Sequence, residues 1–497
     1  MRSWWLLSWT AVVLHAAAIR GAVVEGQTGR PLARAVVELE PVTGTPGEPS
    51  AIRTNVYGAF EFARLPAGAY LITASRPGFA PVHYGQRRWK AAGVPIQLEP
   101  MGSAAITVAL PRLGAISGVV LDENNVGLPE QDVVAYRAAQ PPQLAGRASA
   151  DERGRYRIGG LEPGRYFVRT VAQQYEDGGY LPTFFKQSGQ VEDAQAVDVE
   201  LDQETEHIDI QPFPGRLVSI GGRIAPPAQV NVTLVSDTGA ETTVSDASGS
   251  FQFHPAAPGP HELYAQAPGD AGKSDAEAAY LSFFADRDRV DVRLTLRSLP
   301  QVQFSFKDTR GLAIDSRSVR LLARRKDLAG VGQTQLIELQ GGRLQFLPGR
   351  WDLLLLPGAG YFVSSLTRLR GPSARPDGWN EIVLSAGSEL LQAVFSATPG
   401  AVRGQVNGPR HEPVPGAPVY LEAWDPAEHR RLKDLQMARA DAHGQYRFPD
   451  LAPGNYRLLS SFDFEPPDGP IDAAGFRALR IEESRELTQD LDLTEIP

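Results

Sequence analysis

The chain has 497 residues, 49 of them glycine and 40 proline, and no long helical pattern, so it belongs to the turn-rich all-β class rather than the helical one. It contains no cysteine, which excludes disulfides, thiolate chemistry and Cys-ligated metals. A net charge of −9, with the positive charge almost all arginine and no basic run, speaks against nucleic acid as a partner.

In chain order, Met1-Arg2-Ser3 precedes the apolar stretch Trp4 to Leu14 and then His15-Ala16-Ala17-Ala18. One positive charge, a short apolar core and a small-x-small site read as a secretory signal peptide over residues 1–18. The apolar stretch is too short to span a bilayer, so cleavage should leave a chain beginning at Ile19 with no integral membrane segment.

Five modules of roughly immunoglobulin size then follow, at 19–111, 112–213, 214–298, 299–397 and 398–497. The first opens at Ala22-Val23-Val24-Glu25 and closes with alternating Ile106 to Leu110. The second opens at Ile116-Ser117-Gly118-Val119-Val120, the third at Gly222-Arg223-Ile224, and the fourth, the most degenerate, at Phe304-Ser305-Phe306. The fifth restores the full pattern from Val402, with an insertion at 425–440 expected to hold a helical turn. Linkers such as Pro111-Arg112-Leu113-Gly114 are short and stiffened by proline. An extended row of five such modules would reach roughly 150 Å.

Within each module one stretch recurs. Gly58, Gly154, Gly249, Gly342 and Gly444 lie 96, 95, 93 and 102 residues apart. In four modules Asn or Asp stands three residues before that glycine: Asn55, Asp151, Asp246 and Asp441. Asx side chains bond the backbone two residues on, and glycine supplies positive φ, so a tight turn is expected. Phe60 and Phe62, Tyr156 and Ile158, and Tyr446 and Phe448 then alternate with polar residues, the sign of a strand with one buried face. Pro163-Gly164 and Pro453-Gly454, with counterparts at Pro258-Gly259 and Pro348-Gly349, are expected to form a type II turn, whereas the first copy reads Pro66-Ala67-Gly68 and leaves its turn type open. Tyr70, Tyr166 and Tyr456 begin the next strand, His261 and Trp351 holding the same position in modules 3 and 4. The whole unit is expected to be a β-hairpin whose aromatic pair and tyrosine plug one end of a small core.

The combination of Gly-x-Val, Gly-x-Pro-x-x-x-x-Val, Asp-x-x-Gly-x-Phe/Tyr-x-Phe and Leu-x-Pro-Gly-x-Tyr resembles the carboxypeptidase regulatory-like domain. Modules 1, 2 and 5 match well, module 3 partly, and module 4 only through its Pro-Gly turn and strand pattern. The resemblance implies five tandem antiparallel β-sandwiches of prealbumin-like, Greek-key, carbohydrate-binding-like fold in a string, as in exported bacterial multi-repeat proteins. Its motif is structural and carries no catalytic residue to this chain.

No catalytic, cofactor or metal residue stands out. The eight histidines are scattered, none in a zinc-binding spacing, and no nucleophile elbow or phosphate loop is found. Asp286, Asp288 and Asp291 read as a solvated turn rather than a cation loop. The feature outside the frame is an aromatic loop after the repeated stretch. It runs Phe79 to Tyr84 with Trp89 nearby, Tyr180 to Phe185, and Tyr280 to Phe284. Sugar rings stack on aromatic faces, so Tyr84, Trp89, Tyr180, Phe184, Phe185, Tyr280 and Phe283 are the candidate ligand contacts. The competing reading is that these rings pad the module or its joints, and a packing role is expected for Phe184. The sequence thus points to an exported, periplasmic or extracellular, non-enzymatic binding or spacer protein. Its expected partner is a polysaccharide or another envelope protein. A carbohydrate-binding protein using the aromatic loops is the alternative, and a hydrolase with a dispersed active site a remote one.

Overall fold

The structure, a computed structural model, describes residues 17–496 apart from 139–142, 176–177, 238, 268–275, 329, 340, 369–377, 386, 428–429, 432–434 and 466–474. Most of the segment read as a signal peptide, residues 1–16, therefore lies outside the described residues.

The chain is all-β, and among the described residues its only helical elements are the 3-10 turns Val191–Asp193 and Ser316–Ser318. Each module is a two-sheet sandwich. In the first, strand Ala17–Glu25 lies between Ala59–Leu65, antiparallel, and Ser103–Leu110, parallel. The facing sheet runs Ser50–Arg53, Val36–Pro41, Gly68–Ser75, with Val82–His83 and Ile96–Leu98 on its far side. Side chains alternate across a strand, so Phe60 and Phe62 point inward with Ile19, Val37, Tyr70 and Ile72 while Glu61 points out. One parallel pair of this kind recurs in every module: Gly114–Val119 with Glu204–Thr205, Ile220–Ala225 with Arg289–Thr295, Gln301–Asp308 with Ser388–Ser396, and Gly400–Asn407 with Glu486–Thr488. In the fifth module Gly400–Asn407 also pairs in parallel with Leu491–Asp492, and the other ladders between the described strands are antiparallel.

The repeated stretch is not the expected hairpin, because its two strands belong to opposite sheets. Ala59–Leu65 bonds to Ala17–Glu25, whereas Gly68–Ser75 bonds to Val36–Pro41, and Arg155–Leu161 and Gly164–Thr170 divide in the same way. Period-2 alternation says which face of a strand is buried, not which strand it bonds. Two strands facing one core from opposite sheets therefore look the same as a hairpin. Nor is the Pro-Gly step a type II turn, which needs φ near +80° at its glycine. Gly164 is the first residue of its strand with φ 147°, and Gly68, Gly259 and Gly349 follow it at 149°, 151° and 139°. The left-handed turn residue comes four positions earlier, at Arg64, Gly160 and Asp450, with φ 60°, 76° and 56°. There the strand register also slips as the chain leaves one sheet for the other in modules 1, 2 and 5. In the fifth module's insertion, the described part forms short strands at Arg430–Arg431 and Gln436–Arg439, and residues 428–429 and 432–434 of the segment expected to hold a helical turn lie outside the described residues.

The modules are not independent beads. Arg112 in the first linker pairs with Glu25 at 2.6 Å, and its backbone N–H donates to Asp202 Oδ1 at 2.7 Å. Asp237 of module 3 receives both Nη atoms of Arg169 in module 2. Buried Glu262 of module 3 takes Arg350 at 3.1 Å, and Arg325 stacks 3.7 Å above Tyr264. Gly360 N–H of module 4 donates to Asp450 Oδ1. The row then closes on itself, since Ala442 N–H of module 5 donates to Thr43 O of module 1 at 2.8 Å, and Arg87 meets Asp463 at 3.3 Å. Outward-facing Leu71 and Ala69 of module 1, and Tyr420 and Leu459 of module 5, are correspondingly buried. The extended row of the sequence reading is thus replaced by one whose ends meet.

Candidate functional site

The repeated residues are spent on holding the modules together. Asp151 Oδ1 accepts from Arg153 N and Arg155 N, and Asn55, Asp246 and Asp441 make the same pair of bonds. Gly58, Gly154, Gly249, Gly342 and Gly444 all hold positive φ, between 68° and 79°. Their carbonyls accept from Val23, Val120, Ile224, Phe304 and Val406 on the first strands. A Cβ on Gly154 would sit 2.2 Å from Val120 O, so only glycine fits. Tyr156 and Tyr446 bond backbone oxygens within their own modules, and burial pushes both phenols up.

The aromatic loops do not share one platform. Phe79 is buried under Arg112, Tyr84 packs on the module 1 core, and half-buried Trp89 keeps its indole N–H enclosed without a partner among the described residues. Phe184 and Phe185 are buried in module 2, with Arg169 5.0 Å above Phe184 and Lys186 4.8 Å above Phe185. Tyr180 packs edge-on to Tyr175 and donates to Glu123. Tyr280 donates to Glu262 at the joint with module 4. Phe283 turns inward opposite His261, so the outward ring of that strand is its neighbour Phe284, 61% exposed.

What the loops of modules 2 and 3 build together is a cleft of about 1030 Å³ between the two modules. Leu181, Pro182, Phe213 and Phe284 line it together with Arg169, Asp237 and His261. Arg169 is held between Phe184 and Asp237, so the buried aromatic of the loop supports the cleft rather than facing it. Two further pairs line it, Arg147 with Asp132 at 2.6 Å and His254 with Glu241 at 2.7 Å. Tyr136 donates to Asp237 O across the joint at 2.5 Å, and burial, its largest influence, pushes its phenol up to about 12. No sequence motif foretold this cleft, because its residues come from two modules and meet only through the joint. Among the described residues no three His, Asp or Glu side chains gather into a metal site, and Asp288 of the acidic turn is taken up by Ser219 N and Arg216.

Residues 18–111 match the sequence profile of the carboxypeptidase regulatory-like domain. The first module is therefore similar to the carboxypeptidase regulatory-like domain. No curated protein matches the chain in sequence. Among solved structures it resembles the minor pilin GBS52 of Streptococcus agalactiae, at 15% identity over 40% of this chain and 97% of that one, with a TM-score of 0.25. It also resembles the pilus protein RrgB of Streptococcus pneumoniae, at 9% identity over 97% and 99% with a TM-score of 0.19. A third is the major pilin subunit BcpA of Bacillus cereus, at 9% over 76% and 99% with a TM-score of 0.16.

The frame of the first module is repeated in the other four down to single hydrogen bonds. Tyr70, Tyr166 and Tyr456 each donate to the carbonyl four residues back, and Trp351 donates from its indole to Leu347 O in the same way. His261 Nε2 stands 2.9 Å from Ala257 O, the equivalent atom. Module 4, degenerate in sequence, therefore keeps the frame with a different donor.

Proposed function

We propose that this is an exported, non-enzymatic protein of the cell envelope or exterior whose five modules hold binding surfaces in fixed relation, as a binder or spacer. The observation that carries this reading is the joint between modules 2 and 3. Arg169 is buried and gives both Nη atoms to Asp237 of the next module, so the carboxyl and guanidinium planes fix the angle between two sandwiches. A joint of that kind has little use in a flexible tether and much in a protein that must present a shaped surface. The frame residues support the same reading, since their polar groups are bound within the modules. Met1 to Ala18 supports export, and a polysaccharide or another envelope protein is the partner class.

The second reading, a carbohydrate-binding protein, is favoured by the cleft rather than by the three loops as a set. Two experiments test the proposal. Terminal sequencing of the protein from its natural host should give a chain beginning near Ile19, and retention of Met1 would remove the case for export by cleavage. A glycan array probed with the intact chain separates binder from spacer, and release of shortened glycans would show a hydrolase instead.

A further inference from the structure

We propose that the cleft between modules 2 and 3 binds a neutral, hydroxyl-rich ligand, a glycan segment, laid against Phe284 and hydrogen-bonded around Asp237. This rests on the binding reading above and names its site and ligand class.

Charge decides the class first. Each arginine described in the cleft already has a carboxylate, Arg147 with Asp132 and Arg169 with Asp237, and His254 Nδ1 lies 2.7 Å from Glu241. A phosphate or an acidic glycan would find no free positive charge to meet it. A neutral polar ligand finds fixed, paired groups whose remaining donors and acceptors are held in place.

Two buried atoms then say what the ligand must carry. His261 is 2% exposed, and its Nε2 lies against Ala257 O, a group that can only accept. Nε2 therefore bears the proton, and burial, which holds this imidazole below its usual range, keeps the ring neutral. Nδ1 is left as a lone-pair acceptor with no partner among the described residues. Arg169, 7% exposed, has the converse: an Nε–H donor with no partner among the described residues. Both residues line the same cleft, and Arg169 is bonded there to Asp237. A buried polar atom left unpaired is costly, and a hydroxyl is both donor and acceptor, so hydroxyl groups satisfy the two together.

Shape agrees. Phe284 is 61% exposed and Phe213 41% exposed, both lining the cleft, and a large ring left in water at a polar cavity is a surface that the apolar face of a sugar can cover. A volume of about 1030 Å³ is at the upper end of ligand sites, enough for an oligomer rather than a single ring.

The test uses the intact chain and titration calorimetry with neutral hexasaccharides, namely cellohexaose, xylohexaose and maltohexaose, beside a galacturonic acid hexamer. At least one neutral hexamer should bind, the acidic one should bind more weakly, and Phe284→Ala should weaken the neutral complex about tenfold or more with an unchanged melting temperature. Phe213→Ala should weaken it in the same direction. Binding that survives both substitutions would place the ligand elsewhere and overturn the cleft while leaving the binding reading intact. No neutral hexamer bound at millimolar concentration would overturn the cleft and leave the spacer reading. Preference for the acidic hexamer would overturn the assignment of ligand class.

Discussion

Tyr166 donates its phenolic proton to the carbonyl of Glu162, four residues back, at 2.7 Å. That single bond ties the start of one sheet to the end of the other, because Glu162 follows strand Arg155–Leu161 and Tyr166 lies in Gly164–Thr170. Tyr166→Phe keeps the buried ring and removes the hydroxyl, which also accepts from Arg137 Nη1 at 3.5 Å. Module 2 should lose about 0.5–1.5 kcal/mol, read from the denaturant midpoint. An unaltered midpoint would mean the ring alone holds the corner.

Gly164 opens the same strand with φ 147°, a conformation that costs a side-chain-bearing residue roughly 1–3 kcal/mol. Space is not the obstacle, since a Cβ there would meet only the flexible end of Arg137 at 3.2 Å. Gly164→Val should therefore destabilise by backbone strain, and Gly164→Ala should cost a similar amount. A large gap between the two variants, seen in denaturant unfolding, would show that crowding rather than φ is responsible.

Asp151 should make stability depend on acid. Backbone N–H groups of Arg155 and Arg153 hold its carboxyl below the ordinary value of 3.8. The charged form is favoured by folding, so this stabilisation is complete above that value and lost as pH falls through the lower, folded one. Asn55 builds the same turn in module 1 with an uncharged oxygen. Asp151→Asn should lower stability near neutral pH by the part that the charge supplies, approach wild type at low pH, and so flatten the acid limb. Unfolding midpoints measured between about pH 5 and 2 decide it, and an acid limb as steep as before would clear Asp151 of the effect.

Phe184 is 4% exposed beneath Arg169. Phe184→Ala should cost about 3–5 kcal/mol through the cavity it leaves. Because Arg169 rests on this ring, ligand binding in the cleft should weaken as well. A melting curve that does not move would return Phe184 to the surface.

Ala442 occupies the second position of the turn Asp441 to Gly444, and its N–H reaches Thr43 O of module 1. Proline is well accepted at that position of such a turn, so Ala442→Pro removes the bond between the end modules while sparing the turn. Paired spin labels on modules 1 and 5 should report a broader and longer distance distribution than in the wild type. The same distribution in both would show that Arg87–Asp463 and the buried faces close the row without it.

The sequence by itself determined the module count, the all-β class and the turn at each Asx-x-x-Gly, because those follow from local rules. An Asx side chain bonds its own neighbours, glycine alone takes a left-handed φ without strain, and alternation exposes one face. The inward side of Phe60, Phe62 and Tyr70 was legible on the same grounds. Partnership was not. Whether Ala59–Leu65 bonds to Gly68–Ser75 or to Ala17–Glu25 depends on which sheet each enters, and the side-chain pattern is the same in both cases. The tertiary structure also decided which aromatics face water. Phe283 and Phe284 are adjacent and chemically equal, and only the opposition of Phe283 to His261 sends one inward and the other to the cleft. The cleft itself exists because Asp237 of one module meets Arg169 of another, 68 residues apart. A contact between modules leaves no period in the chain, since nothing local requires either residue.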